Sequence, residues 1–411
     1  MIYNMLMALK AVLMAAGKST RTYPLTLTRP KPLLKVANKF ILQHNLEQLK
    51  ETGLFDEFII IIGYKGDMIK KQFGKEFEGI KITYIEQKEQ LGTGHALMTA
   101  KDAVGNSEFI IMNGDDIFFA GDIKKLAGEK YAVLVKKVKN PSDYGVYIVE
   151  KGFAKKIVEK PEEFVSDIAN IGCYKMDKKV FGFKAEKSKR GELEIVDFVS
   201  ELMRTDKVRC IEAENWFPIG YPWDLLAANE FLLSRIKKDI RGEIEQNVTI
   251  KGEVAIGKGT IIKSNVYIEG PVMIGEHCTI GPNAYLRPST SIGNNCKIGH
   301  EVEIKNCIIM DNSSVPHLSY IGDSILGENV NLGAGTVTAN LRHDKGIIRT
   351  SMKKEVEGEV KEELVDTGLV KLGTIVGDNA KLGIKTIIYP GRKVWPGKST
   401  LPGEIVKKDV E

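Results

Sequence analysis

The second half of this 411-residue chain repeats every six residues. From Ile250 to Ile304 every sixth position is isoleucine or leucine, and a smaller or β-branched residue usually follows it by four positions. An α-helix repeats about every 3.6 residues and a single strand every 2, so a period of six fits neither. Short strands joined by tight turns and wound into a β-helix do give this period, with an aliphatic side chain inward on each face. We therefore predict a solenoid.

Two sets of positions make the inward side of the repeat. The aliphatic set is Ile250, Ile256, Ile262, Ile268, Ile274, Ile280, Leu286, Ile292, Ile298 and Ile304. The smaller set is Val254, Thr260, Val266, Val272, Cys278, Ala284, Thr290, Cys296, Val302 and Ile308. The repeat breaks near Pro316, resumes at Ile321, halts at Asn340 and restarts at Val376. Residues 341–370 are polar and outside the period, so we expect an excursion of the kind that often lines a solenoid's binding face.

The first half alternates apolar runs with segments of helical spacing. Strands are predicted at Leu9–Met14, Phe58–Ile62, Ile80–Ile85, Glu108–Met112 and Tyr131–Val138. Helices are predicted at Ile41–Glu51, Ala96–Ala103, Ile195–Met203 and Leu225–Ile236. This order predicts a parallel sheet covered by helices on both faces. Ligands bind at the carboxyl ends of such strands, which points to the loops after Met14, Ile85 and Met112.

Length and composition suit two domains, which we place at residues 1–235 and 236–411 with Leu225–Arg241 as a connecting helix. A net charge of +5 without any basic block makes nucleic acid an unexpected partner. We expect no membrane association, since the chain lacks an apolar run of about 20 residues. Met1–Ala8 is interpreted as an N-terminal extension rather than a signal peptide. Five scattered cysteines suggest buried free thiols and a cytoplasmic location.

The strongest local motif is LMAAGKSTRTYPLTLTRPKPLL, at residues 13–34. Its GKS imitates the end of a P-loop, but that motif needs glycine where Val12 stands. The second GKST, at residues 397–400, fails in the same way because Arg392 stands at the glycine position. A loop whose backbone N–H groups approach a triphosphate fits better, with Arg21 and Lys31 supplying positive charge.

The same motif resembles that of the sugar-1-phosphate nucleotidylyltransferases, an AGxGTR loop followed by proline and a Pro-Lys pair. The matching residues are Ala16, Gly17, Thr20, Arg21, Pro24, Pro30 and Lys31. Ser19 stands where the family usually has glycine. The resemblance implies that Arg21 steadies the phosphates and the leaving pyrophosphate, and that Lys31 holds the phosphate at the reacting centre. It also implies a Rossmann-like nucleotidyltransferase domain of α/β class, with Ala16, Gly17 and Thr20 at the nucleotide.

Three further pieces of the first half match that family. The segment QKEQLGTGHA is similar to the uridine-reading segment of bacterial UDP-N-acetylglucosamine pyrophosphorylases, which implies that Gln87 reads a pyrimidine edge beside Gly92 and Thr93. UTP and dTTP both remain open, and His95 is expected to serve packing or a backbone bond. The family's sugar contacts correspond to Gly145, Glu159, Lys160 and Asn170. Neither the spacing nor the resemblance separates gluco- from galacto-configured sugars.

An aspartate at the carboxyl end of a parallel strand suits Mg²⁺, which prefers carboxylate oxygens together with substrate phosphates. Asp115 holds that position in FIIMNGDD, and Asp116 is a weaker alternate. The resemblance implies a second Mg²⁺ ligand far along the chain, which corresponds to Asp224 in GYPWDLL. Asp224 has the alternative role of capping the following helix.

The solenoid resembles the acetyltransferase half of bifunctional bacterial N-acetylglucosamine-1-phosphate uridyltransferases, through IGPNAYLRPST, VPHLSYIGD and ENVNLGAGTVTAN. The resemblance implies a left-handed parallel β-helix and, as substrate and acetyl-CoA contacts, Arg287, Lys305, Tyr320, Asn331, Asn340, Ala334 and Lys371. It makes His317 the general base. A histidine suits that role because the ammonium of glucosamine 1-phosphate must lose a proton before it attacks a thioester. The family also implies a homotrimer or larger assembly with acetyltransferase sites between subunits.

We therefore interpret the chain as a bifunctional enzyme of UDP-N-acetylglucosamine synthesis that uses Mg²⁺ and acetyl-CoA. It would acetylate glucosamine 1-phosphate and then transfer a uridylyl group to the product. Two alternatives stay open. The first is a single-activity uridylyl- or thymidylyltransferase for glucose 1-phosphate with a structural or regulatory solenoid. The second is a non-catalytic regulatory homologue, which the presence of Arg21, Lys31, Asp115 and Asp224 argues against.

Overall fold

The computed structural model describes residues 9–184, 186–188, 191–356 and 359–411, with the backbone alone for 354–356 and 359–361. The expected N-terminal extension, Met1–Ala8, lies outside the described residues. Two compact units are present: the first comprises residues up to Lys18, Pro30–Leu33 and Ile41–Pro218. The second comprises Ser19–Arg29, Leu34–Phe40 and Ile219–Glu411. Two short segments from the first 40 residues thus group with the C-terminal half, and the boundary at 235/236 stays a prediction.

The first unit is built on one ten-stranded sheet. In sheet order the strands are Glu76–Phe77, Ile80–Glu86, Phe55–Ile62, Leu9–Ala15, Phe109–Asn113, Ile168–Met176, Ala132–Lys137, Arg209–Glu212, Phe153–Glu159 and Gly145–Glu150. The four strands from Ile80–Glu86 to Phe109–Asn113 run parallel, as the apolar runs predict. Strand Ile168–Met176 joins them antiparallel and begins the other half of the sheet.

Helices appear where their spacing predicts them. The α-helices of the first unit are Ile41–Thr52, Gly66–Phe73, Thr93–Thr99, Lys101–Val104, Ala120–Ala127 and Ile195–Thr205. Short 3₁₀ helices of this unit span Lys31–Leu33, Pro141–Asp143 and Lys178–Gly182. The first helix shows why: Ile41, Leu42, Leu46 and Leu49 fall on one face at helical spacing and are fully buried. The predicted helix at Ala96–Ala103 is confirmed in position, although it consists of two successive helices.

The C-terminal part of the second unit consists mainly of short parallel strands in three sheets. Sheet 1 contains Asp239–Ile240, Val254–Ile256, Val272–Ile274, Thr290–Ile292, Ile308–Ile309, Ile325–Leu326, Ile375–Val376 and Lys393–Val394. Sheet 2 contains Glu243–Ile244, Ile261–Ile262, Thr279–Ile280, Lys297–His300, Ser314–His317, Asn331–Leu332 and Lys381–Leu382. Sheet 3 contains Thr249–Lys251, Tyr267–Glu269, Tyr285–Leu286, Glu303–Lys305, Tyr320–Gly322, Val337–Thr338, Ile387–Ile388 and Ile405–Val406.

Successive strands in the chain visit the three sheets in turn, an arrangement consistent with a β-helix. Ile250, Ile268, Leu286 and Ile304 stand in register on neighbouring strands, 18 residues apart. The aliphatic and smaller positions of the repeat form one continuous apolar core, as predicted, and the restart at Val376 rejoins it. A period of six therefore reports three strands per coil.

Two successive coils are each shorter by a residue, since Ile309 also pairs with Leu326 at an offset of 17, and one member of the predicted inward set is wrong. Ile292 pairs with Ile309 and Ile304 with Ile321, which are offsets of 17. Cys307 consequently takes the small inward position. Ile308 pairs with Ser291, and the alternation of side chains along a strand turns it away from the solenoid core, although its side chain is buried.

The connection between the two halves is shorter than predicted. The helix spans Asp224–Leu233, and Asp239 already pairs with Ala255 in sheet 1, so the helical prediction to Arg241 is wrong in extent. The second unit also contains 3₁₀ helices Thr20–Thr22 and Leu25–Leu27 and a small hairpin of Lys35–Val36 and Lys39–Phe40. The predicted excursion at 341–370 leaves the three sheets and forms an antiparallel hairpin, Arg349–Val356 with Glu359–Asp366. In the part of the chain that the structure describes, no helix has the length and apolarity needed to cross a membrane.

Candidate functional site

Lys31 and Asp115 are brought together in the first unit. Asp115 follows strand Phe109–Asn113, and its Oδ2 lies 2.8 Å from Lys31 Nζ. Asp116 is farther, with Oδ1 at 3.9 Å from the same nitrogen, and its Oδ2 accepts a hydrogen bond from Asn113. The side chain of Asp115 is 29% exposed against 11% for Asp116. A ligand therefore reaches Asp115 more readily, which favours it over the alternate.

The start of the glycine-containing loop is held from two sides. The carbonyl oxygen of Ala16 accepts hydrogen bonds from Tyr64 N at 3.0 Å and from Gln90 Nε2 at 2.9 Å. A Cβ at Gly63 would lie 2.8 Å from that oxygen, so only glycine allows the approach. These contacts fix the chain just before the exposed Gly17, whose backbone the sequence assigns to the nucleotide.

Gln87 is almost buried, and its amide is oriented by the loop that follows it. Its Nε2 lies 3.0 Å from the carbonyl oxygen of Gly92 and 3.1 Å from His95 Nδ1. Both amide protons are then used, and the carbonyl oxygen is the atom with which Gln87 can accept a hydrogen bond from a donor such as uracil N3–H. His95, expected to pack or to bond the backbone, bonds the side chain of Gln87, a contact that sequence spacing did not show.

Gly92 and Thr93 join this loop to helix Ile195–Thr205. Gly92 adopts φ +99°, and a Cβ there would meet the carbonyl oxygen of Leu193 at 2.4 Å. Thr93 Oγ1 accepts a hydrogen bond from Ile195 N at 3.0 Å. The loop that carries Gln87 is thus fixed by backbone contacts, which is what a base-reading segment needs.

Three of the four sugar-side residues lie on neighbouring strands of the antiparallel half of the sheet, and Lys160 directly follows one of these strands. Gly145 stands opposite Glu159, and a Cβ on Gly145 would lie 2.7 Å from Glu159 Oε2. Lys160 has a left-handed backbone, and its N–H donates to Tyr144 O. Asn170 lies on the adjoining strand, and its Nδ2 donates to the hydroxyl of Tyr174 at 2.7 Å. The structure therefore groups these residues.

Gly172 has no room for a side chain, which makes it a sensitive test of this half of the site. It adopts φ +75°, and a Cβ would lie 2.3 Å from Asn113 Nδ2. We expect Gly172→Ala to lower the free energy of unfolding by more than about 1 kcal/mol. Gly121→Ala is the matched control, because Gly121 is helical and open space surrounds its Cβ position. Urea denaturation of both variants tests this, and equal stabilities would contradict it.

In the second unit, Arg21 and Asp224 meet around one tyrosine that the sequence analysis did not single out. The guanidinium carbon of Arg21 lies 5.6 Å from the ring centre of Tyr221, which stacks on Trp223. Asp224 Oδ2 accepts hydrogen bonds from Tyr221 N at 2.7 Å and from Gly220 N at 2.8 Å. These bonds hold the turn before the helix rather than the helix's first N–H groups. Helix capping therefore does not account for these two bonds.

Ser19 takes the conformation for which the family's glycine is suited. Its φ is 51° and its ψ is 56°, in the left-handed region. Its carbonyl oxygen accepts from the hydroxyls of Thr22 at 2.7 Å and Thr26 at 2.9 Å, which stabilises a conformation that a serine seldom adopts. Thr20 and Arg21 follow at once in a 3₁₀ turn and are exposed. The turn therefore forms even though Ser19 replaces the glycine of the motif.

The carboxylates of the first half have the chemistry that Mg²⁺ prefers. Among the residues that the structure describes, no group of three or more His, Cys, Asp and Glu lies close enough to hold a metal ion alone. Mg²⁺ commonly completes its coordination with water and substrate phosphates, so one or two carboxylates suffice. Asp115 already directs an oxygen at a cation, the ammonium of Lys31. The residues present therefore fit Mg²⁺ bound together with a nucleotide.

A second polar cluster lies at sheet 3 and is organised by Asp323. This residue is 4% exposed. Its Oδ1 accepts from Asn306 Nδ2 at 2.8 Å and its Oδ2 from Asn340 Nδ2 at 2.5 Å. Asn340 Nδ2 also lies 3.1 Å from the hydroxyl of Tyr320, and burial raises the pKa of that hydroxyl. The sequence analysis named Tyr320 and Asn340 but missed Asp323, which stands in the quoted motif VPHLSYIGD.

Arg287 and Lys305 lie on the same side of the second unit as this cluster. Lys305 pairs in register with Gly322, whose missing side chain leaves room for Tyr320 and Asn340. Arg287 Nη1 binds Glu303 Oε1 at 2.8 Å, and this ion pair raises the pKa of Arg287. The two cations thus lie on or directly after neighbouring strands of sheet 3, next to the strand that carries Tyr320.

The remaining residues that the sequence assigns to acetyl transfer are His317, Asn331, Ala334 and Lys371. His317 ends a strand of sheet 2, is exposed and pairs in register with His300. Asn331 lies in the next strand of that sheet, and the backbone of His317 bonds Gly335, next to Ala334. Lys371, which follows the excursion, forms an isolated antiparallel β-bridge with Leu341, the residue after Asn340. The chain therefore separates these residues into a sheet 2 group and a sheet 3 group.

Comparisons with known proteins identify the class to which the chain belongs. The family model described as nucleotidyl transferase matches residues 10–235, more than half of the chain, and defines the class. A second model, described as the GMPPB C-terminal domain, matches residues 268–401. A crystal structure from Bacillus anthracis, assigned as a glucose-1-phosphate thymidylyltransferase, is 29% identical with a TM-score of 0.51. It covers 57% of this chain and 98% of its own.

Two relatives extend over nearly the whole chain. The protein named bifunctional protein GlmU from Methanocaldococcus jannaschii is 43% identical over 98% of this chain and 95% of its own length. A protein from Sulfurisphaera tokodaii, named bifunctional sugar-1-phosphate nucleotidylyltransferase/acetyltransferase, is 39% identical over 98% of each. The chain therefore belongs to the family of bifunctional GlmU-type nucleotidylyltransferase/acetyltransferases.

Proposed function

We propose that this enzyme acetylates glucosamine 1-phosphate with acetyl-CoA and then couples N-acetylglucosamine 1-phosphate to UTP. The products of the second step are UDP-N-acetylglucosamine and pyrophosphate. The observation that carries the proposal is that one chain holds two built polar sites, Lys31 with Asp115 and the Tyr320–Asp323–Asn340 cluster. Full-length likeness to bifunctional relatives supports both halves.

In nucleotidylyl transfer a phosphate oxygen of the sugar attacks the α-phosphorus of UTP, and the bond to the β-phosphate oxygen breaks. The enzyme needs to hold the two phosphates in line and to neutralise their charge. Lys31 would face the reacting phosphate, and Arg21 the departing pyrophosphate. Mg²⁺ held by Asp115 and Asp224 would supply further neutralisation when bound.

Recognition is divided among the remaining residues of the first half. The backbone of Ala16, Gly17 and Thr20 would approach the triphosphate, and Gln87 with Gly92 and Thr93 would read the pyrimidine. Gly145, Glu159, Lys160 and Asn170 would bind the sugar phosphate. The fixed amide of Gln87 supports this assignment, because its carbonyl oxygen complements a pyrimidine N3–H.

In acetyl transfer the amine of glucosamine 1-phosphate attacks the thioester carbonyl, and coenzyme A leaves as the thiol. His317 would take the proton of the ammonium. Arg287 and Lys305 would bind the phosphate, Tyr320 and Asn331 the sugar, and Ala334 and Lys371 acetyl-CoA. Asp323 has only acceptors, so Asn340 turns its nitrogen to Asp323 and its oxygen away. That oxygen would accept a hydrogen bond from the reacting amine and orient it.

We expect Asp323→Asn to reduce kcat for acetyl transfer by roughly tenfold, the order of one lost hydrogen bond to a charged group. The NH₂ group of the new asparagine would face the NH₂ group of Asn306 or Asn340, so the side-chain amide of one of these residues has to rotate. Thiol release from acetyl-CoA measures this, and nucleotidylyl transfer should stay within about twofold. Asp366→Asn, which affects an exposed carboxylate paired with Arg349, is the control. Equal rates for the two variants would exclude the role of Asp323.

We further propose that the solenoid is a left-handed β-helix of residues 236–411, following a nucleotidylyltransferase domain of residues 1–235. The separation of the acetyltransferase residues into a sheet 2 group and a sheet 3 group supports sites completed by another copy of the chain, as in a homotrimer. Sedimentation tests this, and a monomer with full acetyl transfer would contradict it. Five free cysteines, four of them buried, support a cytoplasmic location.

Mass spectrometry of products tests the whole proposal. The protein is incubated with glucosamine 1-phosphate, acetyl-CoA, Mg²⁺ and either UTP or dTTP. UDP-N-acetylglucosamine is expected, and the paired reaction ranks the two nucleotides. Recovery of unacetylated glucosamine 1-phosphate would instead favour the single-activity alternative, which the likeness to a glucose-1-phosphate thymidylyltransferase makes the second candidate.

A further inference from the structure

The segment Ser19–Arg29 carries Arg21, yet it groups with the solenoid in one compact unit. Arg29, at the end of the segment, lies between two carboxylates of the solenoid. Its Nη1 is 2.5 Å from Glu328 Oε1, and its Nη2 is 2.6 Å from Asp378 Oδ2. The side chains of Arg29 and Asp378 are 8% and 5% exposed. A buried charge is costly unless it is paired, so this contact is a firm anchor.

Asp378 is itself fixed before it meets the arginine. Its Oδ1 accepts from the backbone N–H of Glu328 at 2.8 Å, and a Cβ on Gly327 would lie 2.4 Å from the same oxygen. Its Oδ2 accepts from Thr28 Oγ1 at 2.6 Å as well as from Arg29. The neighbouring coils thus hold the carboxylate in one orientation, and that orientation sets where Arg29 lies.

The segment transmits this position to Arg21. The Ser19 carbonyl oxygen accepts hydrogen bonds from two threonine hydroxyls within the segment, at Thr22 and Thr26. Two 3₁₀ turns fill the span between Thr20 and Leu27. Because the segment is short and bonded to itself, a shift at Arg29 displaces the turn that carries Arg21.

We propose that Arg29, Glu328 and Asp378 are positioning residues for nucleotidylyl transfer, and that the solenoid sets the geometry in which Arg21 meets the nucleotide phosphates. None of the three needs to touch substrate. The inference rests on the proposed role of Arg21. It gives the solenoid a part in the first half's reaction that is separate from acetyl transfer.

Asp378→Asn in the full-length protein tests the proposal through two measurements. The first is amide hydrogen exchange of peptides covering residues 19–29 without substrate, where we expect faster exchange than in the parent. The second is steady-state kinetics. KM for UTP should rise by about tenfold, the order of one lost charge-assisted hydrogen bond. KM for the sugar 1-phosphate and the rate of acetyl transfer should stay within about twofold.

Asp311→Asn is the matched control, because it removes another carboxylate of the solenoid, 2.5 Å from Lys35 Nζ, outside the segment. It should alter neither exchange at 19–29 nor KM for UTP. Equal changes in both variants, in proportion to their melting temperatures, would overturn the proposal by showing a general loss of stability. Unchanged exchange and KM in Asp378→Asn would also overturn it.

Arg29→Lys covers the case in which Asp378→Asn does not fold. It keeps one positive charge but cannot reach both carboxylates with a planar fork, so a smaller rise in KM is expected, and none would contradict the proposal. Exchange is measured without turnover and decides the anchoring by itself. Absence of turnover in the parent protein would count against the proposed function, whereas parent turnover with unaltered variants would count against this inference.

Discussion

Replacing Lys31 with methionine should lower kcat for nucleotidylyl transfer by about 10² to 10³, the size of effect seen when one preorganised charge-stabilising donor is removed. Lys31 is largely buried, and its ammonium lies 2.8 Å from Asp115 Oδ2. Methionine keeps the length of the side chain and removes the charge that would face the reacting phosphate. Saturating UTP should not restore the rate, because the lost interaction acts in the transition state. Pyrophosphate release measures this.

Lys175→Met is the control for a buried lysine in the same unit. Its ammonium lies 2.8 Å from Glu108 Oε2 and donates to the carbonyl oxygens of Ala127 and Glu129. This variant should lose stability while keeping kcat within about threefold. If both variants lose activity alike, Lys31 is a structural cation. If Lys31→Met keeps its rate, the assignment of the reacting centre is wrong.

Replacing His317 with asparagine should lower acetyl transfer by about 10² to 10⁴, the usual contribution of a general base. The loss follows because the amine stays protonated unless a group beside it accepts the proton. Uridylyl transfer from UTP to supplied N-acetylglucosamine 1-phosphate should be unchanged. This second activity serves as a check that the substitution has not unfolded the protein as a whole. Thiol release from acetyl-CoA gives the rate.

His300→Asn is the matched control, since His300 is the exposed neighbour of His317 in the register of sheet 2. Acetyl transfer should survive this change within about threefold. If only His300→Asn loses acetyl transfer, the general base is His300 in the adjacent coil instead of His317. Full activity in both variants would remove histidine from the proton transfer altogether.

How far the sequence predicts the fold depends on whether neighbours in the chain are neighbours in space. The run Phe58–Ile62 and the six-residue period report local burial, and the structure confirms the strands that they predict. Arg29 lacks such a signal, because its partners Glu328 and Asp378 lie 299 and 349 residues away. The strict period of six missed the two short coils, which the sequence does contain as steps of five residues from Ile304 to Ile309 and from Ile321 to Leu326.

In the candidate sites, too, local patterns predict some residues and miss others. Motifs with fixed spacing predict Lys31, Asp115 and Tyr320 as site residues. The structure places Lys31 beside Asp115 in the first unit and Tyr320 beside Asn340 in the second. The residues that orient them were missed. His95 bonds Gln87, Tyr221 lies under Arg21, and Asp323 turns Asn340. Such partners act through hydrogen-bond direction and ring contact, and neither property leaves a pattern in a single sequence.

The two 17-residue coils show that the strands of this part of the protein stay stacked even where the number of residues per coil changes. Cys307 replaces the expected Ile308 because the residue is lost at a turn, and the next strands resume their stacking unchanged. The side chains of His317 and Tyr320 accordingly keep their faces even though their distance from the earlier repeats is one residue short. A deleted codon is thus absorbed at a corner of the coil, whereas the same deletion inside a strand would turn every later side chain of that strand to the opposite side.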